Sequence, residues 1–317
     1  MPRPTQAPRP WRPSGIVSLL TDYGTDDPYV GIVKGVLWRD APRLRAVVDL
    51  SHAIPPGDVG AGAFLLERSW SPFPAGTVHL AVVDPGSGSE RAILLVEARG
   101  HVFVAPDNGL LAPLIASEPL VVVRKAGSHA PVRGPSTTFD GRDRFAPLVA
   151  RLVEGDPPAA FGEVCSDGAF EKDGSKAPRR LDDGSIAAEV VHVDRFGNLI
   201  TNAPFLLLAQ AHADWREHWS CEVGERRLAL VRTYSDAPAK TPVALVNSYD
   251  RMEVAVARGN AARELGLGRG DEVRFVPRAA KAAKPAKAAK AAARVAAPTR
   301  APKGRDSAPK ARKGRKS

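Results

Sequence analysis

The first half of the folded sequence alternates short apolar runs with segments whose apolar residues recur at helical spacing. The runs are rich in Val, Leu and Ile and are bounded by Gly, Pro and Asp, which is typical of buried parallel strands. These strand candidates are residues 16–20, 45–50, 77–83 and 120–123. The helix candidates are residues 29–39, 59–68 and 145–153. The first two begin near Pro28 and Asp58, residue types that suit a helix N-terminus.

Two further apolar runs lie between the third and fourth strand candidates. Residues 92–96 and 101–104 are joined by a loop that contains Gly100, and they indicate a β-hairpin appended to the unit. Strands that alternate with helices favour a sheet whose strands are linked by crossover connections. The pattern therefore predicts an α/β domain with a mainly parallel sheet.

The second half of the sequence carries shorter strand patterns. Residues 161–184 are polar and rich in Gly, Asp, Lys and Pro, which indicates a linker. One helix candidate lies around residues 204–213. The strand candidates are residues 185–193, 226–232, 243–246, 252–257 and 272–276. Short strands at this spacing predict a small β-barrel or a sandwich. We place the boundary at about Asp182, which gives domains of residues 15–182 and 183–277.

The two ends of the chain hold its positive charge. The whole chain has 45 Lys and Arg against 35 Asp and Glu, a net charge of +10. Residues 278–317 carry fourteen basic residues and one acidic residue, and residues 2–14 add three arginines. Residues 15–277 are left with 28 basic and 34 acidic residues, so this part is acidic. The two ends are Pro-rich or Ala/Lys-rich, and segments of that composition cannot bury a core. The sequence therefore predicts a disordered leader (1–14) and a disordered tail (278–317).

Composition also bears on location. No apolar run approaches the roughly 18 residues of a membrane span. The N-terminus has arginines but lacks the apolar core of a secretory signal. The chain has only two cysteines, Cys165 and Cys221, too few for a disulfide framework or a cysteine metal site. We therefore expect a cytoplasmic protein without a membrane partner.

Two aspartates follow predicted strands at the place where ligands bind in open α/β sheets. Asp22 follows the strand at 16–20 in LLTDYGTDD, and Asp84 follows the strand at 77–83 in VVDPGSGSER. A carboxylate there can accept hydrogen bonds from both hydroxyls of a ribose, or can orient a water molecule. Asp-x-Gly and Asp-Pro-Gly are also common turn formers, and the sequence alone leaves both interpretations open.

Arg91 lies across a short loop from Asp84 and can fold back toward the strand end. A guanidinium there would keep the carboxylate ionised and could hold a water or an oxyanion. A surface ion pair between Arg91 and Glu90 is an equal alternative. A further loop, TTFDGRD, adds three charged residues before the helix candidate at 145: Asp140, Arg142 and Asp143. Of these, Asp143 alone could serve as the N-cap of that helix.

Several standard motifs are missing from the sequence. It has no G-x-x-x-x-G-K-[ST] phosphate loop, no G-x-S-x-G elbow and no H-E-x-x-H, and GSGSER lacks the third glycine of a dinucleotide fingerprint. His212 and His218 lie six residues apart on a predicted helix and do not share a face. We expect them at the surface and expect no metal. His52 and His79 are interpreted as structural.

The segments quoted above belong to an ordered set of seven: LLTDYGTDDPYVGIVKG, SHAIPPGDV, VVDPGSGSER, APDNGLL, TTFDGRDRFAP, DRFGNLITN and NSYDRMEVAVARGNAA. The set resembles the family of S-adenosyl-L-methionine (SAM) hydrolases that form adenosine, also called SAM hydroxide adenosyltransferases, which are related to the SAM-dependent fluorinating and chlorinating enzymes. The resemblance spans residues 15–276. It implies an N-terminal α/β domain and a C-terminal β-barrel. It also implies homotrimers that hold SAM between the N-terminal domain of one subunit and the C-terminal domain of the next. SAM is then the substrate, and no cofactor is expected.

The resemblance assigns a substrate contact to six residues. They are Asp22 on the ribose hydroxyls, Asp27 on the methionine ammonium, Phe196 and Asn198 on adenine, and Ser248 and Glu253 on the amino-acid end of methionine. A departure from the relatives is Gly57, where they often carry an aromatic residue that covers the ligand. Weaker stacking and a raised KM are expected from that glycine.

The resemblance also implies a group that positions and polarises the attacking water. Asp84 and Arg91 match two of its three members, and the third is a His in F-H-G-R-D, where this chain has Asp140. The sulfonium of SAM is a good leaving group, so alignment of water with the C5′–S bond dominates the rate. Asp84 would accept the proton. If Arg91 instead stabilises a hydroxide-like nucleophile, the roles change while the residues stay the same.

The aspartate at position 140 places two carboxylates close together in this interpretation. Such a pair tends to share a proton, so we expect hydrolysis with a shifted pH optimum. Halogenation is disfavoured because a carboxylate at position 84 repels an anion. A hypothesis of another class is a SAM- or adenosine-binding module without turnover, tethered to nucleic acid when its basic tail neutralises phosphates. A tail without a specific partner is an equal alternative.

Overall fold

The computed structural model of the chain describes residues 10–126, 138–165, 170–171, 177–210 and 214–278. The predicted tail therefore lies almost wholly outside the described residues, as does most of the predicted leader. The end of the leader differs from the prediction, because residues 10–14 are placed against the folded body. The indole Nε1 of Trp11 donates a hydrogen bond to the carbonyl of Leu152 at 2.9 Å, and the Trp11 ring packs on the N-terminal core.

The N-terminal part is built on a seven-stranded sheet. Its elements in chain order are β1 (Ile16–Thr21), α1 (Tyr29–Asp40), β2 (Ala46–Ser51), α2 (Val59–Ser69), β3 (Val78–Val82), β4 (Ile93–Ala98), β5 (His101–Pro106), α3 (Ala112–Ser117), β6 (Val121–Ala126), α4 (Ala146–Glu154) and β7 (Gly162–Val164). A π-helical turn, Gly141–Phe145, leads directly into α4, and a 3-10 turn, Pro158–Ala160, follows it. The predicted α/β domain is confirmed.

The strand order is β2-β1-β3-β5-β4-β6-β7. The first four strands of that order are parallel, and β4, β6 and β7 pair antiparallel. The prediction of a parallel strand at 120–123 was wrong, because β6 runs antiparallel to β4. The hairpin of β4 and β5 is also not an appendage. All of β5 is buried, and the strand lies inside the sheet between β3 and β4.

Helices cover both faces of this sheet. One core combines residues of α1 and α4 with Val17, Leu19 and Leu80 of the strands. The core on the other face combines residues of α2 and α3 with Leu20 and Ala81. Alternate residues of β1 and β3 thus bury on opposite faces, which explains their uninterrupted apolar sequences. The predicted start of α2 is confirmed, since the Asp58 carboxylate accepts the N–H of Ala61 at 3.0 Å.

The C-terminal part is a closed barrel of seven strands with one short strand outside it. Its elements are β8 (Arg179–Arg180), β9 (Ile186–Val193), β10 (Leu199–Pro204), α5 (Leu206–Ala209), α6 (Trp215–His218), β11 (Trp219–Val223), β12 (Arg226–Leu230), β13 (Pro242–Val246), β14 (Arg251–Val256), α7 (Ala261–Leu265) and β15 (Glu272–Pro277). The order β10-β14-β13-β12-β11-β15-β9 closes through pairing of β9 with β10. Because the sheet closes on itself, the C-terminal part is a barrel, which was one of the two predicted alternatives, and not a sandwich.

Three expectations for this half need correction. The segment at 161–184 is not a plain linker, because β7 pairs with β6 and β8 pairs with β9. The strands β10 and β11 were not predicted. The helix expected at 204–213 is the single turn α5, and His212 lies outside the described residues. In the part of the chain that the structure describes, no helix has the length and hydropathy of a membrane span.

Two buried histidines are held by hydrogen bonds. His79 Nδ1 lies 2.7 Å from Ser18 Oγ, and its Nε2 lies 3.1 Å from His101 Nδ1. His52 Nδ1 lies 2.8 Å from Thr21 Oγ1. These contacts agree with the interpretation of His52 and His79 as structural. Burial, reinforced by His101, lowers the pKa of His79 from 6.5 to about 3.

Replacing His79 with Gln should make folding less sensitive to acid. Because the folded state holds His79 neutral, the unfolded chain binds its proton more readily, and stability falls as the pH drops from 6.5 toward about 3. Between pH 7 and pH 5 this costs the wild type about 2 kcal/mol. Urea unfolding at both pH values should therefore show a smaller loss in His79→Gln than in the wild type. Equal losses in the two proteins would contradict the assignment.

Candidate functional site

The chain reverses its direction of winding between β1 and β3. From β1 the chain crosses to β2 on one side, and it then returns to β3 on the other side. Thr21 at the end of β1 is paired with Val82 at the end of β3, so Asp22 and Asp84 leave the sheet side by side. A reversal of this kind opens a crevice at the carboxyl ends of the strands, where α/β proteins bind ligands. The two predicted aspartates therefore occupy the crevice.

Asp84 is tied to its own turn and to Arg91. Its Oδ1 accepts the N–H of Gly86 at 2.9 Å and lies 3.2 Å from Arg91 Nε. The Asp84 side chain is 4% exposed, and Arg91 Nη1 also reaches the carbonyl of Asp107 at 3.4 Å. Arg91 therefore folds back to the strand end, as one of the two alternatives predicted. The turn-forming interpretation of Asp84 holds as well, because the same oxygen closes the turn.

Asp140 reaches the same loop from the opposite side. Its Oδ2 accepts the N–H of Gly88 at 3.0 Å and lies 3.4 Å from Arg144 Nη1. Arg144 Nη2 also donates to the backbone carbonyl of Arg91 at 3.4 Å. The structure thus brings together the three predicted catalytic residues, Asp84, Arg91 and Asp140, around one loop. Asp140, which the resemblance aligns with a histidine of the relatives, therefore faces this loop.

The prediction that Asp143 caps the helix was wrong. Its carboxylate instead forms a two-point ion pair with the neighbouring Arg142, with both N–O distances at 2.7 Å. Residues 141–145 form a π-helical turn, so α4 starts later, with Phe145 at its N-cap. Insertions of this type are frequent at functional sites.

Burial raises the pKa of Asp84, and the nearby carboxylate of Asp140 adds to the increase. The Gly86 N–H, Arg91 and Arg144 oppose it. Tyr23 also faces these carboxylates, since burial together with Asp22, Asp84 and Asp140 raises the pKa of its phenol. Tyr23 therefore stays neutral and can donate a hydrogen bond among acceptors. The sequence did not single out Tyr23, although it directly follows Asp22.

Asp22 and Asp27 differ in their surroundings. Asp22 Oδ2 accepts the N–H of Gly57 at 2.8 Å, which joins the loop after β1 to the turn before α2. Gly57 has a φ of +73°, and a Cβ there would contact Pro85 at 3.6 Å. Any larger residue at position 57 would be strained in this backbone conformation. Asp27 is exposed in the loop that precedes α1.

Phe196 and Asn198 lie in the loop between β9 and β10 of the barrel. Asp194 fixes this loop, because its carboxylate accepts the N–H groups of Phe196 and Asn198 at 2.9 and 2.8 Å. Asn198 Nδ2 donates to Asp194 at 2.9 Å, and Asn198 is buried. The ring of Phe196 is 75% exposed. An exposed aromatic ring on a fixed loop is suited to stacking on a flat ligand.

Glu253 and Ser248 belong to the β13–β14 hairpin. Glu253 is 2% exposed and accepts a hydrogen bond from the Tyr234 hydroxyl at 2.7 Å. Burial raises the pKa of Glu253, while Tyr234 and Asn247 oppose the increase through hydrogen bonds. Ser248 is exposed at the turn of this hairpin. Tyr234 was not predicted as part of the site.

The predicted site residues therefore form two separate sets. Within the described ranges, no hydrogen bond or ion pair joins the sheet set (Asp22, Asp27, Asp84, Arg91 and Asp140) to the barrel set (Phe196, Asn198, Ser248 and Glu253). As for metals, the described residues contain no group of three His, Cys, Asp or Glu that could hold an ion.

Replacing Gly86 with Ala should displace the Arg91 guanidinium. A Cβ at position 86 would collide with Arg91 Nη2 and lie 2.9 Å from its Nε. The obstructed group is the end of a flexible side chain, so the protein should fold and melt as the wild type does. We expect turnover to fall about tenfold because the ion pair that orients Arg91 toward Asp84 is lost. Steady-state kinetics with a melting curve test this. Gly268→Ala, where an added Cβ meets no atom within 4 Å and the backbone φ is not positive, is a matched control for glycine replacement.

The fold and the crevice define a two-domain protein, an α/β sheet domain followed by a closed barrel, with a carboxylate-lined candidate site at the switch point of the sheet. The SAM hydroxide adenosyltransferase N-terminal domain matches residues 17–162, and the corresponding C-terminal domain matches residues 188–274. The chain belongs to the SAM hydroxide adenosyltransferase family.

Individual relatives agree with this assignment. The (R)-S-adenosyl-L-methionine hydrolase of Thermus thermophilus is 38% identical over 268 residues, which cover 82% of this chain and 99% of the relative. A fluorinase of Actinoplanes sp. is 27% identical over 276 residues, covering 78% and 91% of the two chains. A crystal structure of an uncharacterized conserved protein from Thermotoga maritima superposes with a TM-score of 0.75 at 30% identity, covering 82% and 99%.

Proposed function

We propose that the chain is an enzyme that hydrolyses SAM to adenosine and L-methionine. The observation that carries the proposal is the ion pair of the buried Asp84 carboxylate with the half-buried Arg91, 3.2 Å apart, at the end of a central strand in a member of this family. The sulfonium leaves as the neutral thioether of methionine, so the protein needs to align a water with C5′ and take up its proton.

Asp84 and Arg91 divide this work in the mechanism that we propose. As the C5′–O bond forms and the C5′–S bond breaks, the water oxygen gains positive charge and gives a proton to Asp84. Asp84 then releases it to solvent. Arg91 orients the Asp84 carboxylate and keeps it ionised despite burial. The reaction consumes one water and yields adenosine, methionine and one proton.

Chromatography of SAM after incubation with the purified protein tests the activity. Adenosine and methionine in equal amounts are expected, and unchanged SAM at every pH from 5 to 10 would reject the proposal. Turnover in ¹⁸O-labelled water tests the position of attack, because attack at C5′ places the label in the 5′-hydroxyl of adenosine. Unchanged SAM with measurable binding would support the alternative of a SAM-binding module.

The choice between water and halide rests on the Asp84 carboxylate. A halide placed beside it would be repelled, because the Asp84 carboxylate is buried and its charge is little screened by water. We therefore expect no 5′-halogenated nucleoside when the same incubation contains fluoride or chloride. Formation of such a product would show that Arg91 outweighs Asp84 in the field at the nucleophile position.

We further propose that the site is completed by a second copy of the chain in a homotrimer. The sheet set offers groups for a sugar and a water, whereas the barrel set offers an exposed ring and a buried carboxylate, so neither set alone surrounds a whole SAM molecule. Sedimentation should give three times the chain mass of 33.7 kDa. A monomer that hydrolyses SAM would reject this arrangement.

Two remaining proposals concern the tail and the location. The fourteen basic residues of 278–317 would bind nucleic acid through phosphates alone. DNA binding that depends strongly on salt and disappears when residues 278–317 are deleted is expected, and affinity that survives the deletion would reject the proposal.

We also propose a cytoplasmic location, which cell fractionation tests.

A further inference from the structure

Among the described residues, four charged side chains interact around the loop between β3 and β4: Asp84, Arg91, Asp140 and Arg144. The proposed mechanism gives roles to Asp84 and Arg91, and the family resemblance points to Asp140. The fourth, Arg144, is 17% exposed and lies on the π-helical turn, four residues after Asp140. Among the charged residues of FDGRDRF, Arg142 pairs with Asp143, and Arg144 alone faces Asp140.

Arg144 contacts both Asp140 and the end of the loop between β3 and β4. Its Nη1 lies 3.4 Å from Asp140 Oδ2, and its Nη2 donates to the carbonyl of Arg91, also at 3.4 Å. The same Asp140 oxygen accepts the N–H of Gly88 in the middle of the loop. The loop is thus attached to the π-helical turn at its middle and at its end. Because Asp84 and Arg91 flank this loop, its attachment sets their mutual position.

We propose that Arg144 is a positioning residue for hydrolysis: with Asp140 it holds the 85–90 loop so that Asp84 and Arg91 face the same water. The inference rests on the proposed function. In this role the Asp140–Arg144 ion pair stands where the family resemblance places one histidine. Neither member needs to touch the substrate.

The charges around Asp84 determine the direction in which its pKa should move when Arg144 or Asp140 is replaced. Asp84 is faced by Arg91, by Asp140 directly before the π-helical turn, by Arg144 within that turn, and by Tyr23 from the loop after β1. Asp140 raises the pKa of Asp84 and Arg144 lowers it, so the two contributions oppose each other. Loss of Arg144 alone leaves Asp140 uncompensated. Loss of both should restore nearly the original balance.

The test compares pH profiles of kcat/KM for Arg144→Met, Asp140→Asn and the double variant. The acidic limb should move up by about one pH unit in Arg144→Met and down in Asp140→Asn, and return close to the wild-type position in the double variant. We expect kcat of Arg144→Met to fall about tenfold with little change in KM, because the loop that positions the water is released. Arg144→Lys should keep the limb in place, since the charge remains.

Arg151→Met is the matched control, because it removes an arginine ion pair, with Asp156, from the following helix α4. Its acidic limb should coincide with that of the wild type. If Arg144 merely stabilises the fold, Arg144→Met will lower the melting temperature and leave the limb unmoved, which overturns the proposal. A limb that moves equally in Arg144→Met and in the double variant also overturns it.

A second readout separates this inference from the proposed function. Carboxyl ¹³C NMR of aspartate-labelled protein, with Asp84→Asn for assignment, follows the titration of Asp84 without any turnover. A wild type that releases no adenosine rejects the proposed function alone. An Asp84 titration that rises in Arg144→Met still supports the coupling, and an unchanged titration rejects it.

Discussion

Asp84→Asn should lower the rate of adenosine formation about 10³-fold. Asparagine has the same shape, and its amide oxygen can still accept the Gly86 N–H that now bonds to Asp84 at 2.9 Å. The turn should therefore survive while the proton acceptor and the partner charge of Arg91 are lost. Turnover should fall with KM little changed, and the melting temperature should stay within a few degrees of the wild type. Steady-state assays with SAM in excess of KM measure the loss.

The same substitution decides between the two interpretations that the sequence left open. If Asp84 only formed a turn, Asn would preserve activity, and a rate within tenfold of the wild type would contradict the catalytic role. The residual activity should also lose the acidic limb of its pH profile, since the group that titrates is gone. Asp156→Asn, at an exposed carboxylate paired with Arg151, controls for the general effect of removing an ion pair.

The elements of the sheet domain were accessible from sequence wherever burial on both faces produced an unbroken apolar run. β1 and β3 bury nearly every residue, and their ends fixed the positions of Asp22 and Asp84. The position of β5 inside the sheet was not accessible, because a strand pattern shows that residues are buried and not which strands cover them. β8 has two residues, too few for any periodicity. β10 contains Asn202 and ends at Pro204, which masked its strand pattern.

The sequence predicted some residues of the site and missed others. Strand ends and family motifs pointed to Asp84, Arg91 and Asp140, which the structure brings together around one loop. Arg144 was not predicted, because in FDGRDRF both arginines are sequence neighbours of Asp143. Only the fold separates them, as Arg142 turns to Asp143 and Arg144 turns to Asp140. A pairing four residues apart in a helix was the one signal available beforehand.

Mixed oligomers should recover activity from two defective variants if the site is shared between subunits. Asp84→Asn damages the sheet set, and Phe196→Ala removes the exposed ring of the barrel set. Loss of stacking on adenine should lower kcat/KM of Phe196→Ala about 30-fold. In oligomers assembled from equal amounts of both variants, each site draws its two halves at random. About one quarter of the sites would then hold two intact halves, and kcat/KM should return to about one quarter of the wild-type value.

The alternative arrangement predicts a result far from this one. If each chain contains its whole site, mixing leaves every site with one defect, and kcat/KM cannot exceed half that of Phe196→Ala, about fifteen times below the shared-site expectation. Co-expression of equal amounts of the two variants, with no selection for mixed oligomers, gives the random assembly on which this fraction depends. The isolated variants, combined after purification without exchange, provide the baseline. Recovery would place the water-positioning residues and the ring on different subunits of one site, because no single chain in the mixture carries both.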